Sequence, residues 1–293
     1  MKILAVAFIL GCFVIGGSLF AASLEGGLNP GTGATLRTSS HYVLADTIGQ
    51  FTVGRSDSAN MTVEHGFWHS TPPSPSIGEL KELPDDTNIE TLGRIVTAGT
   101  NQFDGTFYLE DPDRSGGIRV YVGSNSQIAM AVGDMVDVTG IIKTFRRERY
   151  IESPQAIVSF PGVWSIEPLT VNNQWLGGRG TDVIVPGGTG VNNLSLLVKT
   201  FGRIIYVDTA APPRFFYIDD GSNLFDGLLV SGEPIHGIRI LLTGLVTGNA
   251  IAAPETGEYV GVTGICSPVI DVGGKVFAAV RPRNQEDIQL IGD

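Results

Sequence analysis

The chain has 293 residues, enough for about two domains with ordinary cores. Its 42% hydrophobic content excludes a disordered chain, and 39 glycines and 16 prolines mark a folded, turn-rich protein. Only 17% of residues are charged and the net charge is −11, which excludes a global positive field for nucleic acid or anionic membrane; a polyanion would need a local patch.

Met1-Lys2, an apolar run from Ile3 to Ile15, and the small residues Ala21-Ala22-Ser23 before Glu25 read as a secretory signal peptide over 1–23. The alternative is a retained anchor, since the apolar stretch continues to Ala22. Ile9-Leu10-Gly11-Cys12 touches on a lipoprotein box, but Phe13-Val14-Ile15 continues the apolar run where such a chain would turn polar. Cleavage removes Cys12 and leaves Cys266 alone, so the exported chain, secreted or held at the cell surface, forms no internal disulfide and folds on core burial. The mature chain is expected to have no membrane span.

No long stretch has apolar residues at helical spacing, whereas short alternating runs bounded by Gly, Asp, Asn and Pro recur, so the fold class is all-β. Residues 24–70 form a small N-terminal β element, in which Ser39–Leu44 matches Ser58–Val63 at an offset of 19. The stretch from Ser39 through Thr47-Ile48-Gly49-Gln50 to Gly66-Phe67-Trp68 resembles a recurrent N-terminal β element of bacterial secreted proteins. Thr71-Pro72-Pro73-Ser74-Pro75-Ser76 then predicts an extended Pro-rich linker over 71–80.

A longer repeat follows. Leu92-Gly93-Arg94-Ile95-Val96 aligns with Phe201-Gly202-Arg203-Ile204-Ile205, and Phe107-Tyr108-Leu109-Glu110-Asp111 with Phe216-Tyr217-Ile218-Asp219-Asp220, both at an offset of 109. Gly133–Ile141 matches Gly257–Ile265 at an offset of 124, so the second copy carries 15 extra residues, expected between Val230 and Gly257. Each copy predicts a strand through Gly93 or Gly202, a Phe-Tyr strand, an acidic turn, a third strand at 118–122 or 227–231, a fourth in the Val-Thr-Gly block, and a fifth over 150–159 or 276–290. In copy one, Ser126 could cap a short helix before Gly133. Gly93, Gly140, Gly202 and Gly264 fall where long strands must bend sharply.

This order resembles the OB-fold, a five-stranded Greek-key barrel, which implies two tandem OB-like barrels over 81–160 and 198–293. The connector over 161–197, with Pro168–Asn173, Leu176-Gly177-Gly178 and Val191–Val198, is similar to that of secreted tandem OB proteins of bacteria and is expected to hold the barrels together. Trp164 and Trp175 within it read as anchors against a barrel.

Asp111-Pro112-Asp113-Arg114-Ser115-Gly116 matches the first half of a calcium loop, but position twelve is Val122 in place of the closing Glu, which favours a hairpin turn. Lys143, Phe145, Arg146, Arg147, Arg149 and Tyr150 form the one dense basic segment, four cations against Glu148. The strand order puts it at the turn between strands four and five, which flanks the ligand face of OB-folds, where cations hold phosphates and rings stack on bases or sugars. Tyr108, Arg119, Tyr121 and Tyr217 complete the candidate ligand residues; one ring of each Phe107/Tyr108 and Phe216/Tyr217 pair must face a core.

The motifs of nucleophile elbows, zinc helices, CxxC pairs and Walker loops do not occur, and His65 and His69 read as a strand end. No catalytic residue, metal site or cofactor is expected. The reading is a secreted non-catalytic binding or surface-assembly module, its ligand a glycan or protein. The first alternative is an extracellular nucleic-acid-binding protein using the basic turn of barrel one, and the second a hydrolase with an unfamiliar site.

Overall fold

The computed structural model describes residues 33–38, 43–48, 54–58, 61–65 and 74–292, apart from 125, 163, 178–191, 271–273 and 275. Residues 1–23, read above as a signal peptide, together with Cys12, His41, His69 and part of the connector, lie outside the described residues. The chain divides into two units, Met1–Pro73 and Ser74–Asp293. In the first, β1 (Gly33–Thr38) pairs antiparallel with β2 (Val43–Ile48), and β3 (Gly54–Ser58) with β4 (Met61–His65).

The second unit opens with α1 (Ile77–Glu82), so the extended tract read from the prolines ends at Ser76. Ser76 caps the helix: its Oγ accepts from Glu79 N, and the Glu79 carboxylate accepts from Ser76 N at 2.8 Å. Ile77 and Leu80, one turn apart, are buried in the core of the first barrel.

That barrel consists of β5 (Asn88–Ala98), β6 (Thr106–Glu110), β7 (Gly117–Tyr121), β8 (Met135–Phe145) and β9 (Glu148–Phe160), closed in the order β5-β6-β7-β9-β8. β7 and β9 run parallel, and the other neighbours run antiparallel. Inward residues such as Phe107, Leu109, Ile118, Val120, Val136, Val138, Ile142 and Ile151 fill it. Gly93 has φ +67° at a bulge in β5, a left-handed conformation that favours glycine. No helix forms between Gly123 and Gly133 among the described residues; Ser126 Oγ accepts from Ile128 N instead.

In the connector, β10 (Leu169–Thr170) pairs parallel with the next strand and a 3-10 turn covers Asn173–Trp175. The second barrel repeats the topology of the first with β11 (Leu197–Val207), β12 (Phe215–Asp219), β15 (Ile238–Leu241), β16 (Tyr259–Ile270) and β17 (Val276–Arg281), closed by β11–β16 and with β15 parallel to β17. Its core takes Val171, Leu176, Leu194 and Leu196 from the connector. At Gly264 a Cβ would lie 2.4 Å from the Arg281 carbonyl oxygen, so only glycine allows β16 to bend this close to the end of β17.

The third strand of the second copy differs from the sequence expectation. Residues 225–230 (β13, Phe225–Val230) leave the barrel as a separate hairpin with β14 (Glu233–His236), and Ile238–Leu241 takes the third place. Burial decides between the two apolar runs: Ile238 and Ile240 are in the core, whereas Leu229 is 57% exposed. Most of the insertion therefore precedes the third strand. The final return also divides: β17 ends before Pro282, and β18 (Ile288–Leu290) pairs with the first part of β16. Both barrels are thus OB-like five-stranded Greek-key barrels, and the protein is all-β apart from short helical pieces.

Ala98, Phe103 and Tyr108 of the first barrel form one apolar cluster with Leu197 and Ile265 of the second. Lys81 Nζ donates to Leu194 O at 2.9 Å and Arg283 Nη1 to Thr97 O at 2.9 Å, while Leu197 N donates to the Glu110 carboxyl. A Cβ on Gly117 would meet Ser195 O at 2.5 Å, so the first barrel's third strand lies directly against the end of the connector.

Candidate functional site

The basic segment forms the β8–β9 hairpin. Arg146 and Arg147 occupy the two turn positions with φ 52° and 68°, the left-handed pair that matches strand twist, and both side chains are exposed. Arg146 lies 5.2 Å over the Phe145 ring, itself 51% exposed. The other two cations are engaged by the loop after α1. Lys143 Nζ pairs with Asp86, which raises the amine's pKa, and Arg149 pairs with Asp85 and donates to Leu83 O. Thr144 Oγ1 also donates to Asp85, at 2.9 Å. Half of the positive charge read from the segment is therefore met by two carboxylates about 60 residues earlier in the chain.

A tighter constellation stands on the neighbouring strands. The β7–β9 register places Arg119 opposite Tyr150 and Tyr121 opposite Glu152. The Arg119 guanidinium lies 5.4 Å from the Tyr150 ring centre and 5.9 Å from that of Tyr121, and the two rings meet edge to face at 6.4 Å. Arg119 Nη1 donates to Glu148 Oε2 at 2.9 Å. Burial works against the charge of Arg119, but Glu148, with Tyr108 and Tyr150, together outweighs it, so its pKa is raised. Glu148 is 4% exposed and its Oε1 accepts from Ser195 Oγ at 3.1 Å, which ties this face to the connector. Tyr150 OH donates to Glu152 Oε1 at 3.3 Å; burial, then the Glu152 charge, pushes this phenol's pKa up. Tyr121 is 43% exposed.

Tyr108 and Tyr217 present no ring to solvent: both are fully buried, together with both of their Phe neighbours. The outer face of β6 is covered by the second barrel, where Tyr108 OH accepts from Arg281 Nη1 at 2.9 Å and its ring meets Phe103 edge on. On β12, Tyr217 OH donates to Asp226 Oδ2 at 2.6 Å and accepts from Arg239 Nε at 2.8 Å, while Arg239 Nη2 donates to Asp226 at 2.7 Å. Asp226 belongs to the inserted hairpin, which covers this face. Arg239 occupies in the second barrel the place of Arg119 in the first, opposite the strand-two tyrosine.

Arg119, a candidate already read from the sequence, thus shares a pattern with Arg239, which sequence reasoning passed over: an outward arginine on strand three, set among aromatic rings and held by a buried carboxylate, Glu148 or Asp226. The signal was present as Gly117-Ile118-Arg119-Val120 and Gly237-Ile238-Arg239-Ile240. The half calcium loop is a hairpin turn in which Asp111 pairs with Arg94 at 2.9 Å and accepts from Ile77 N. Cys266 is buried, with its thiol directed to Asn193 Oδ1 and pushed up to about 12 by burial. Trp175 is 53% exposed and so is no anchor, whereas Trp164 is half-buried beside Gly133. His236 lies against the Phe225 ring. Among the described residues no group of three His, Cys, Asp or Glu side chains is placed to hold a metal.

Fold and site define the class: a tandem OB-like barrel protein with an aromatic–arginine face on the first barrel. No protein-family model matches the chain, and no curated protein matches it. A solved structure described as p202 HIN1 in complex with 12-mer dsDNA is similar over 72% of this chain and 94% of that chain, at 10% identity and a TM-score of 0.30. The barrels rest on the strand pairings and not on so distant a likeness.

Proposed function

We propose that the chain is a secreted, non-catalytic binding or surface-assembly module that takes an extracellular glycan or protein on the β7–β9 face of its first barrel. The observation that carries this reading is the Arg119–Tyr121–Tyr150 group: two tyrosines, one widely exposed, fixed around an arginine whose position is set by a buried carboxylate. Rigid aromatic rings offer contact area at low entropic cost, and a side chain already held in place loses little on binding. Export rests on the sequence of residues 1–23 alone.

The test is an array of glycans and extracellular proteins probed with the mature protein, followed by titration of the hits. Tyr121→Ala and Tyr150→Ala should each weaken a hit at least tenfold while leaving the melting temperature within a few degrees, as expected for removal of a stacking ring worth about 1–3 kcal/mol. Equal affinity in both variants would remove this face from consideration.

The second reading, a nucleic-acid ligand, is favoured by one observation, the exposed Arg146-Arg147 turn beside Phe145. Against it stand the net charge of −11 and the pairing of Lys143 and Arg149 with Asp86 and Asp85. Retention on single-stranded DNA at low salt, lost in Arg146→Ala/Arg147→Ala, would establish it; absence of retention rejects it.

A further inference from the structure

The junction of the two barrels carries a cleft that the proposed face does not use. It is an open, polar depression with a volume of about 400 Å³. Its walls are the β5–β6 loop, with Asn101 and Gln102, the β15–β16 loop, with Thr247 and Asn249, and Asn284 after β17. No charged side chain lines it.

The cleft is held rigidly. Phe103 and Leu245 form an antiparallel bridge, Asp104 N donates to Gly244 O at 3.0 Å, and Val246 N to Gln102 O at 3.1 Å. Asn249 Nδ2 donates to Gln102 O at 3.1 Å and to Arg283 O at 2.7 Å, joining three segments from two barrels.

Its carboxamides are only half used. Gln102 is 9% exposed; its Oε1 accepts from Gly99 N at 2.9 Å, and its Nε2 has no protein partner among the described residues. Asn284 Oδ1 accepts from Asp287 N at 3.2 Å, and its Nδ2 has no protein partner among the described residues. Among the described residues, Asn249 Oδ1 and both ends of the Asn101 amide have no protein partner. The cleft therefore offers carboxamide donors and acceptors with no net charge, and those of Gln102, Asn249 and Asn284 are held by their other hydrogen bonds.

We infer that this junctional cleft is a binding site for a neutral saccharide. A sugar hydroxyl both donates and accepts, which matches carboxamides presenting both functions. An anionic ligand would find no cation here and a cationic one no carboxylate, so each would lose solvation without a partner. The site shares no residue with the Tyr121–Tyr150 face and stands or falls independently of it.

The experiment is calorimetric titration of the full chain with neutral gluco-, galacto-, manno- and xylo-trisaccharides. At least one should bind. Gln102→Glu, which keeps the acceptor for Gly99 N and removes the donor, should weaken it at least tenfold. Thr247→Trp, which fills the cleft from an exposed position without touching a hydrogen bond, should do the same, whereas Leu229→Ala, on the exposed β13–β14 hairpin away from both sites, should leave the affinity unchanged. The inference is overturned if no trisaccharide binds at millimolar concentration, or if both cleft variants bind as wild type. It is likewise overturned if a neutral tripeptide displaces the sugar at equal concentration, or if only Tyr121→Ala abolishes binding; that last outcome would leave the proposed face standing.

Discussion

Glu110→Gln should flatten the dependence of stability on pH. Glu110 ends β6 at the seam between the barrels, is 1% exposed, and accepts from Leu197 N through one oxygen, while the other has no hydrogen-bond partner. Burial pushes its carboxyl from 4.5 to about 7; the Leu197 amide, Thr97, and the more distant Arg114 and Arg283 pull in the opposite direction without cancelling it. The folded protein therefore holds this proton more tightly than the unfolded chain. Its contribution is fully present below about pH 4.5 and is lost progressively as pH rises through about 7. A shift of that size corresponds to roughly 3 kcal/mol at pH 8 relative to pH 4. Glutamine keeps the acceptor for Leu197 N and has no charge to bury. Urea unfolding at pH 5 and pH 8 checks the reasoning, with the stability of Glu110→Gln relative to wild type rising by about 2–3 kcal/mol across that interval. Parallel pH profiles for the two proteins would refute it.

Tyr217→Phe removes a hydroxyl that both donates to Asp226 and accepts from Arg239 beneath the inserted hairpin, so it should cost about 1.5–3 kcal/mol by denaturant unfolding, whereas Tyr121→Phe on the open face should cost less than about 0.5. Equal costs would mean that the hairpin does not seal this face. Cys266, buried and with its thiol ionising near 12, should resist alkylation at pH 8 in the folded protein and react fully in denaturant; rapid native labelling of its peptide by mass spectrometry would show that this part of the second core is open.

Much of the architecture was legible before any coordinates. Alternating runs, three ordered repeat blocks and the glycines at 93, 140, 202 and 264 specify local strand geometry, which period-2 patterning and steric demand encode directly. The third strand of the second copy was misplaced because residues 225–230 and 238–241 are both short apolar-rich runs; only closure of the barrel selects the run whose isoleucines can be buried.

The site was less legible, for a different physical reason. Alternation tells that Phe107 and Tyr108 point to opposite sides of a strand, but not what covers the outer side. Here the second barrel covers Tyr108, and the inserted hairpin covers Tyr217. The basic run is likewise half neutralised by Asp85 and Asp86, near in space and distant in sequence. Sequence alone determined most of the strands, their repetition and their bends, because these depend on neighbours along the chain. Tertiary structure decided which outward side chains remain in water, because that depends on surfaces brought together only when both barrels have closed.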